Sequence, residues 1–127
     1  MKFKAVIFDL DGTLVNSIQD IADAMNTVLQ NYNYPTHSYE KHQSFIGSGI
    51  RSLVQKSLPE SNNNENQVDI CSNAMIEVYR ENCTNKTKPY DGIVELLDYL
   101  ILYYMIFAIF YADQFSYQPC VFLYLAL

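Results

Sequence analysis

The chain has 127 residues, enough for one ordinary domain, and half of them are hydrophobic, so a packed core can form. The formal net charge is −6, and the 8 Lys and Arg residues form no cluster along the sequence. Nucleic acids and anionic membranes bind clustered basic residues, so this composition argues against both as partners and favours a cytoplasmic protein. The three cysteines are widely spaced, which argues against a disulfide framework and against a zinc site.

The predicted secondary structure starts with a short apolar strand, residues 3–8, which runs into two acidic residues, Asp9 and Asp11. A first helix is predicted from Ser17, which is placed to act as N-cap, with Asp20 three residues later as in a capping box. Helical spacing puts the apolar residues of this segment on one face, which we expect to be buried. These residues are Ile18, Ile21, Ala22, Met25, Val28, Leu29 and Tyr32.

Further helices are predicted near Ser38, at residues 48–58, at residues 68–83, and from Asp91 through Leu100. Polar residues with Pro at their boundaries predict a loop at residues 60–67 and a linker at residues 84–89. The two histidines, His37 and His42, have no evident partner in the sequence and are predicted to be polar positions of the helical region. The chain therefore reads as one strand followed by about five helices.

Residues 99–127 differ in composition from the rest of the chain. They contain one charged residue, Asp113, no Lys or Arg, and ten of the 18 aromatic residues, and they show no amphipathic period. Three interpretations stay open. The segment is a buried strand centred on residues 107–110, or a membrane segment at residues 99–112, which is shorter than the ~20 residues of a spanning helix. In the third, it arises from a reading-frame error or a decayed gene.

The residues after the first strand have the types that phosphate chemistry requires. The carboxyl ends of strands in open α/β sheets bind ligands, and Mg²⁺ is commonly held there by one or two carboxylates with phosphate oxygens. Of Asp9 and Asp11, one carboxylate could attack phosphorus and the other transfer the leaving-group proton. Gly12 permits a sharp turn, and Thr13 offers a hydroxyl and a backbone N–H to an oxyanion. A calcium loop fits poorly, because Gly is the fourth position rather than the sixth.

The segment FDLDGTLVNS at residues 8–17 resembles the first motif of haloacid dehalogenase (HAD) hydrolases, an apolar strand followed by D-x-D-G-T-L-x-x-S. Residues 45–53 are similar to the cap segment of phosphoglycolate phosphatases. Residues 88–93 resemble the family's return to the core, with Asp91 where Pro is usual. The resemblance covers residues 1–100. It implies an α/β fold with a HAD-like, Rossmannoid core, truncated here, and an inserted α-helical cap domain.

The resemblance further implies a Mg²⁺-dependent phosphatase that hydrolyses a small phosphorylated metabolite, such as phosphoglycolate, through an aspartyl-phosphate. Asp9 is then the nucleophile and Asp11 the general acid/base. Both residues bind Mg²⁺, Asp11 through its backbone carbonyl, and Gly12 and Thr13 contact the phosphoryl group. Arg51 is a candidate for a substrate carboxylate, although a solvated helix position also explains it.

The family also needs a Ser or Thr after the second core strand, then a Lys, then further Asp residues. In this sequence Tyr111 and Ala112 follow the candidate second strand, and no Lys or Arg follows Lys88. Phosphoryl transfer depends on neutralising charge, so we expect the chain as written to be inactive and poorly soluble.

We expect residues 1–16 to form the first core strand and catalytic loop. Residues 17–83 are expected to form the cap, and residues 84–127 the return to the core with an incomplete, aberrant tail. Two other functions stay open. One is a non-catalytic helical interaction module that binds a partner through the apolar tail, and the other is a membrane-associated fragment anchored by residues 99–127.

Overall fold

The computed structural model of the protein describes the backbone of residues 5–102, 106–110 and 121–122, and the side chains of residues 6–102. The described residues form two compact units. The helical unit consists of residues 17–87, and the strand-containing unit consists of the described residues before and after that range. The strand-containing unit is therefore discontinuous in sequence, and the helical unit is an insertion into it.

The helical unit, all of which is described, has four α-helices at the places that the sequence predicts. They are α1 (Ile18–Asn31), α2 (Tyr39–Phe45), α3 (Ile50–Ser57) and α4 (Glu65–Asn82), with a 3₁₀ turn at Glu60–Asn62. Helix α1 contacts α2 and α4, and α3 contacts the same two helices, so apolar faces are buried between them. The core side chains include Ala22, Met25, Val28, Leu29, Leu53, Val54, Val68, Cys71 and Met75.

Short polar residues begin two of these helices by satisfying backbone N–H groups that have no partner inside the helix. The Ser38 hydroxyl accepts from the N–H of Lys41 at 3.3 Å, as the sequence predicts for the start of α2. The Asn64 side chain accepts from the N–H of Gln67 at 3.0 Å and starts α4 a few residues earlier than predicted. The early start converts part of the predicted polar loop into helix.

Two expectations about α1 are wrong in detail. Tyr32 follows the end of the helix and is 38% exposed instead of buried. Within the described chain, the Ser17 side chain makes no capping hydrogen bond, and Asp20 does not complete a capping box. The Asp20 carboxylate instead accepts hydrogen bonds from Lys86 and Thr87. Local spacing located the start of α1 but not the partner of Asp20.

The strand-containing unit has five described strands and one described helix. They are β1 (Ala5–Asp9), β2 (Val15–Asn16), β3 (Lys88–Pro89), β4 (Ile106–Phe110), β5 (Val121–Phe122) and helix α5 (Ile93–Leu102). Strands β1 and β4 are parallel, with Ala5 opposite Ile106 and Asp9 opposite Phe110, and β5 is antiparallel to β4. The strand predicted at residues 107–110 is confirmed. Parallel pairing requires a long crossover, which the helical unit and α5 supply.

The chain leaves and re-enters the strand-containing unit through a second, very small sheet that the sequence did not predict. Strands β2 and β3 pair antiparallel, with Val15 opposite Pro89 and Asn16 opposite Lys88. The N–H of Tyr90 donates to the carbonyl of Leu14 at 3.0 Å and extends the pairing by one residue. The segments that flank the helical unit therefore lie side by side.

The side chains of β1 alternate in exposure as strand geometry requires. Val6 and Phe8 are half-buried, whereas Ile7 is 74% exposed. Parallel strands are normally covered on both faces by helices. Among the described residues, the face of β1 that carries Ile7 is therefore left uncovered.

Of the aromatic segment at residues 99–112, the described residues belong to the end of α5 and to strand β4. Among the described residues, no helix has both the length and the apolar character needed to cross a membrane. The expectations for Asp113 and for the rest of the tail, apart from β5, fall on residues 111–120 and 123–127, outside the described residues.

Candidate active site

The acidic motif lies at the carboxyl end of β1. Asp9 is the last residue of the strand and is exposed, and Asp11, two residues later, is half-buried. Gly12 and Thr13, which follow, are both exposed. Four of the five predicted site residues are therefore consecutive or nearly so, in one solvent-accessible loop.

The loop is a tight turn organised around one carbonyl group. The Leu10 carbonyl accepts from three backbone N–H groups, those of Thr13, Leu14 and Val15, all within 3.3 Å. The Val15 carbonyl accepts from the N–H of Gly12 at 2.9 Å. Gly12 has φ +75°, in the left-handed region, where residues with a Cβ are conformationally strained and glycine is not. These bonds satisfy the backbone within the turn, so its shape is defined by residues close in sequence.

Thr13 is oriented toward the first carboxylate. Its hydroxyl donates to Oδ2 of Asp9 at 3.4 Å, a long hydrogen bond across an exposed turn. A bond of this length leaves the Asp9 oxygens largely available to another donor or to a cation. The arrangement can therefore present a carboxylate oxygen and a hydroxyl to the same small ligand.

The donor set of this loop fits a hard divalent cation in part. Asp9 supplies carboxylate oxygens and Asp11 a backbone carbonyl oxygen, and Mg²⁺ prefers hard oxygen ligands of this kind. In the part of the chain with described side chains, no group of three or more His, Cys, Asp and Glu residues could hold a metal ion. Among the described residues, the loop thus offers two oxygen-donor residues, Asp9 and Asp11, to such a cation.

Arg51, the fifth predicted site residue, belongs to the helical unit. It lies on α3, and its guanidinium pairs with the carboxylate of Asp69 on α4, both side chains being about half exposed. The pair links α3 to α4 on the surface of the unit. Its assignment to a substrate stays a prediction.

Residues 84–87, which the sequence assigned to a polar linker, are held against α1. The Asp20 carboxylate accepts from the N–H groups of Lys86 and Thr87, and Lys86 Nζ pairs with Asp23 at 2.5 Å. This cluster was missed by sequence reasoning. The only available signal was Asp20 itself, an acid on the otherwise apolar side of α1.

A model of the haloacid dehalogenase-like hydrolases matches residues 6–109, which include the acidic loop, the helical unit and strand β4. The chain belongs to this family. The HAD-like α/β fold with an inserted helical cap, expected from the acidic motif, is thereby confirmed.

Curated relatives share the same region. The chain is 36% identical over 93 residues to a phosphoglycolate phosphatase of Chromobacterium violaceum, an alignment that covers 71% of this chain and 42% of that protein. It is 32% identical over 105 residues to the phosphoglycolate phosphatase of Haemophilus influenzae, with 78% and 47% covered. The chain therefore spans less than half the length of these curated relatives.

Solved structures agree with this assignment. A predicted phosphoglycolate phosphatase from Haemophilus somnus superposes with a TM-score of 0.77 at 30% identity, covering 87% of this chain and 52% of that one. A structure from Lactobacillus delbrueckii subsp. bulgaricus also gives a TM-score of 0.77, at 24% identity, with 89% and 56% covered. The second comparison supports the fold alone.

Proposed function

We propose that the acidic loop is the nucleophile loop of a phosphatase that hydrolyses a small phosphate monoester, of which phosphoglycolate is the leading candidate. The observation that carries the proposal is the Asp9–Thr13 turn at the carboxyl end of β1, in a chain of the HAD family. The substrate class comes from the names of the relatives, several of which are phosphoglycolate phosphatases. A cytoplasmic location accompanies the proposal, since the cysteines are not spaced for disulfides.

In the proposed reaction an oxygen of the Asp9 carboxylate attacks phosphorus, and the bond from phosphorus to the ester oxygen breaks. Asp11, as a carboxylic acid, gives its proton to the departing alkoxide. Water then attacks the aspartyl-phosphate, Asp11 takes up the water proton, and phosphate leaves with the Asp9 carboxylate restored. The N–H groups of Gly12 and Thr13 are both bonded within the turn, at 2.9 Å to Val15 and 3.3 Å to Leu10. The Thr13 hydroxyl, whose bond to Asp9 is 3.4 Å long, is therefore the better donor to the phosphoryl oxygens.

Asp9 and Asp11 are the residues that would hold Mg²⁺, because they supply the oxygen ligands that this ion prefers. The bound ion would supply positive charge beside the phosphoryl group, which two carboxylates alone would repel. The proposal therefore includes an absolute requirement for a divalent cation.

We further propose that these 127 residues do not turn over phosphate esters by themselves. No Lys or Arg follows Lys88 in these 127 residues, so they contain no counterpart after the cap of the family's phosphate-neutralising lysine. The described part of the chain also lacks a third acidic ligand grouped with the first two. An interaction module is the second candidate, favoured by the exposed apolar residues of α5, among them Val94 at 54% and Leu102 at 72%.

The test has two arms. In the first, the purified 127-residue chain is assayed for phosphate release from phosphoglycolate and other small esters with and without Mg²⁺, and we expect none. In the second, residues 6–98 replace the aligned segment of the Chromobacterium violaceum enzyme. We expect this hybrid to hydrolyse phosphoglycolate with Mg²⁺ and to stop when EDTA is added.

Substitutions in the hybrid assign the residues. Asp9→Asn should abolish turnover, because an amide does not attack phosphorus, and Asp11→Asn should slow it by roughly 10² to 10⁴-fold through lost proton transfer. Asp91→Asn, which removes an exposed acid outside the loop, is the matched control and should leave the rate unchanged. A near-normal rate for Asp9→Asn would show that the nucleophile is assigned wrongly.

A further inference from the structure

The two ends of the helical unit are joined by one buried carboxylate. Asp20, 2% exposed on the first turn of α1, accepts the N–H of Lys86 at 2.9 Å and the N–H of Thr87 at 2.7 Å. It also accepts the Thr87 hydroxyl at 2.7 Å. Three donors therefore converge on one side chain, from residues more than sixty positions away in sequence.

The charge state of Asp20 makes these bonds strong. Burial by itself would raise the pKa of this carboxyl, but the hydrogen bonds from the Thr87 side chain and the two backbone N–H groups lower the pKa below its ordinary value. The group is therefore ionised at neutral pH, and bonds from N–H and O–H groups to an ionised carboxylate are stronger than those between neutral partners. Asp20 fixes the backbone of Lys86 and Thr87 rather than their side chains alone.

Thr87 leads directly into the small sheet beside the acidic loop. The next residue, Lys88, begins β3 and is paired with Asn16 of β2. Strand β2 is bonded to the acidic turn, since Val15 donates to the Leu10 carbonyl at 3.1 Å and accepts from the N–H of Gly12 at 2.9 Å. A path of covalent bonds and hydrogen bonds thus runs from the Asp20 carboxylate to the turn that carries Asp11.

We propose that Asp20 is a positioning residue for the acidic turn. Strands β2 and β3 have two residues each, too few to define their own register, and a slip of one residue would reverse which face each side chain occupies. By fixing Lys86 and Thr87, Asp20 sets where β3 begins and hence how β2 and the turn are held. The catalytic consequence rests on the proposed phosphatase function, but the structural coupling does not.

Amide hydrogen exchange tests the coupling without any turnover. It is read by NMR on the full 127-residue chain, with Val94→Lys and Leu102→Lys present in every sample to limit association. In Asp20→Asn, one acceptor oxygen becomes an NH₂ group that faces backbone donors. We expect the N–H groups of Tyr90 and Val15 to exchange about tenfold faster relative to those of Met25 and Met75 in the helical core. The Gly12 and Thr13 N–H resonances should shift as well.

Asp23→Asn is the matched control. Asp23 lies one turn further along α1 and pairs with the Lys86 ammonium, so its loss removes a nearby acid without freeing the backbone of Lys86 or Thr87. We expect this variant to keep the wild-type ratio of the exchange rates at Tyr90 and Val15 to those at Met25 and Met75. If Asp20→Asn fails to fold, Thr87→Val removes only the hydroxyl bond and should raise the same ratio by about threefold.

Two results would overturn the proposal. One is exchange that rises in proportion at Tyr90, Val15, Met25 and Met75, which would mean that Asp20 only stabilises the fold. The other is faster exchange confined to Lys86 and Thr87. In an active hybrid, Asp20→Asn should lower kcat with little change in KM. An inactive hybrid would count against the proposed function and would leave the exchange result standing.

Discussion

The ring of His42 donates its Nε2–H to Oδ1 of Asn26 at 2.9 Å, which leaves Nδ1 of the same ring buried without a hydrogen-bond partner among the described residues. The direction of this bond follows from Asn26, whose Oδ1 also accepts the N–H of His37 and whose NH₂ donates to the His37 carbonyl. Asn26 on α1 therefore ties together the loop before α2 and α2 itself. The sequence showed no evident partner for His42, and the structure supplies one in Asn26.

This environment predicts acid sensitivity of the helical unit. The pKa of His42 is lowered from 6.5 to about 4, first by burial and then by the neighbouring His37, while Asp23 opposes the shift. Below pH 6.5 the unfolded chain binds a proton at His42 that the folded chain does not. Stability is therefore complete above that pH and falls as the pH approaches 4. At pH 5 the loss should be about 2 kcal/mol.

Urea unfolding at pH 7.5 and pH 5 measures this loss. The matched variant is His42→Gln, whose amide can still donate to Asn26 but does not titrate, and its free energy of unfolding should change much less between the two pH values. Most carboxyl groups stay ionised in this window, so they contribute little. Equal pH dependence in the two proteins would contradict the assignment to His42.

Met25 lies at the centre of the helical unit with none of its surface exposed. Met25→Asp places a charge there without a partner, which costs several kcal/mol, and the unit should unfold. Gln19→Asp, at an exposed position of the same helix, is the control and should melt within a few degrees of the wild type. Circular dichroism of Met25→Asp with an unchanged melting curve would show that this core is described wrongly.

Gly12 provides a separate test of the acidic turn. A Cβ at this position would meet no atom of the described residues within 4 Å, so substitution strains the backbone at φ +75° without a steric clash. Gly12→Val should therefore cost about 1–2 kcal/mol, and Gly12→Asn less, because Asn tolerates the left-handed region. In the hybrid enzyme, kcat should decrease in the order Gly, Asn, Val. Equal rates for the Asn and Val variants would exclude backbone strain as the determinant.

The outer side of α5 predicts association of the 127-residue chain. Val94, Tyr99 and Leu102 are each more than half exposed, and large exposed apolar side chains favour self-association. We expect sedimentation to show concentration-dependent oligomers or aggregates at neutral pH. Val94→Lys combined with Leu102→Lys should shift the population toward monomer, while Glu95→Lys, which leaves the apolar side chains in place, should not. A monomeric wild-type chain at high concentration would contradict this prediction.

The sequence by itself determined the features whose physical cause is local. Helical periodicity located α1 to α5, the hydroxyl of Ser38 marked the start of α2, and an apolar run predicted β4. The acidic turn was also predictable, because the residues from Leu10 to Val15 that bond to one another are adjacent in the chain. In each case the stabilising interaction joins residues within a few positions, so the pattern contains both partners.

Only the tertiary structure decided the partners of the buried polar groups. Asp20 has the spacing of a capping residue, yet its carboxylate binds Lys86 and Thr87, and His42 binds Asn26 on another helix. Closing a chain of some sixty residues costs an entropy that depends only weakly on the exact length, so no local rule selects one distant donor over another. Packing of the four helices brings these groups together, and burial then requires that they pair.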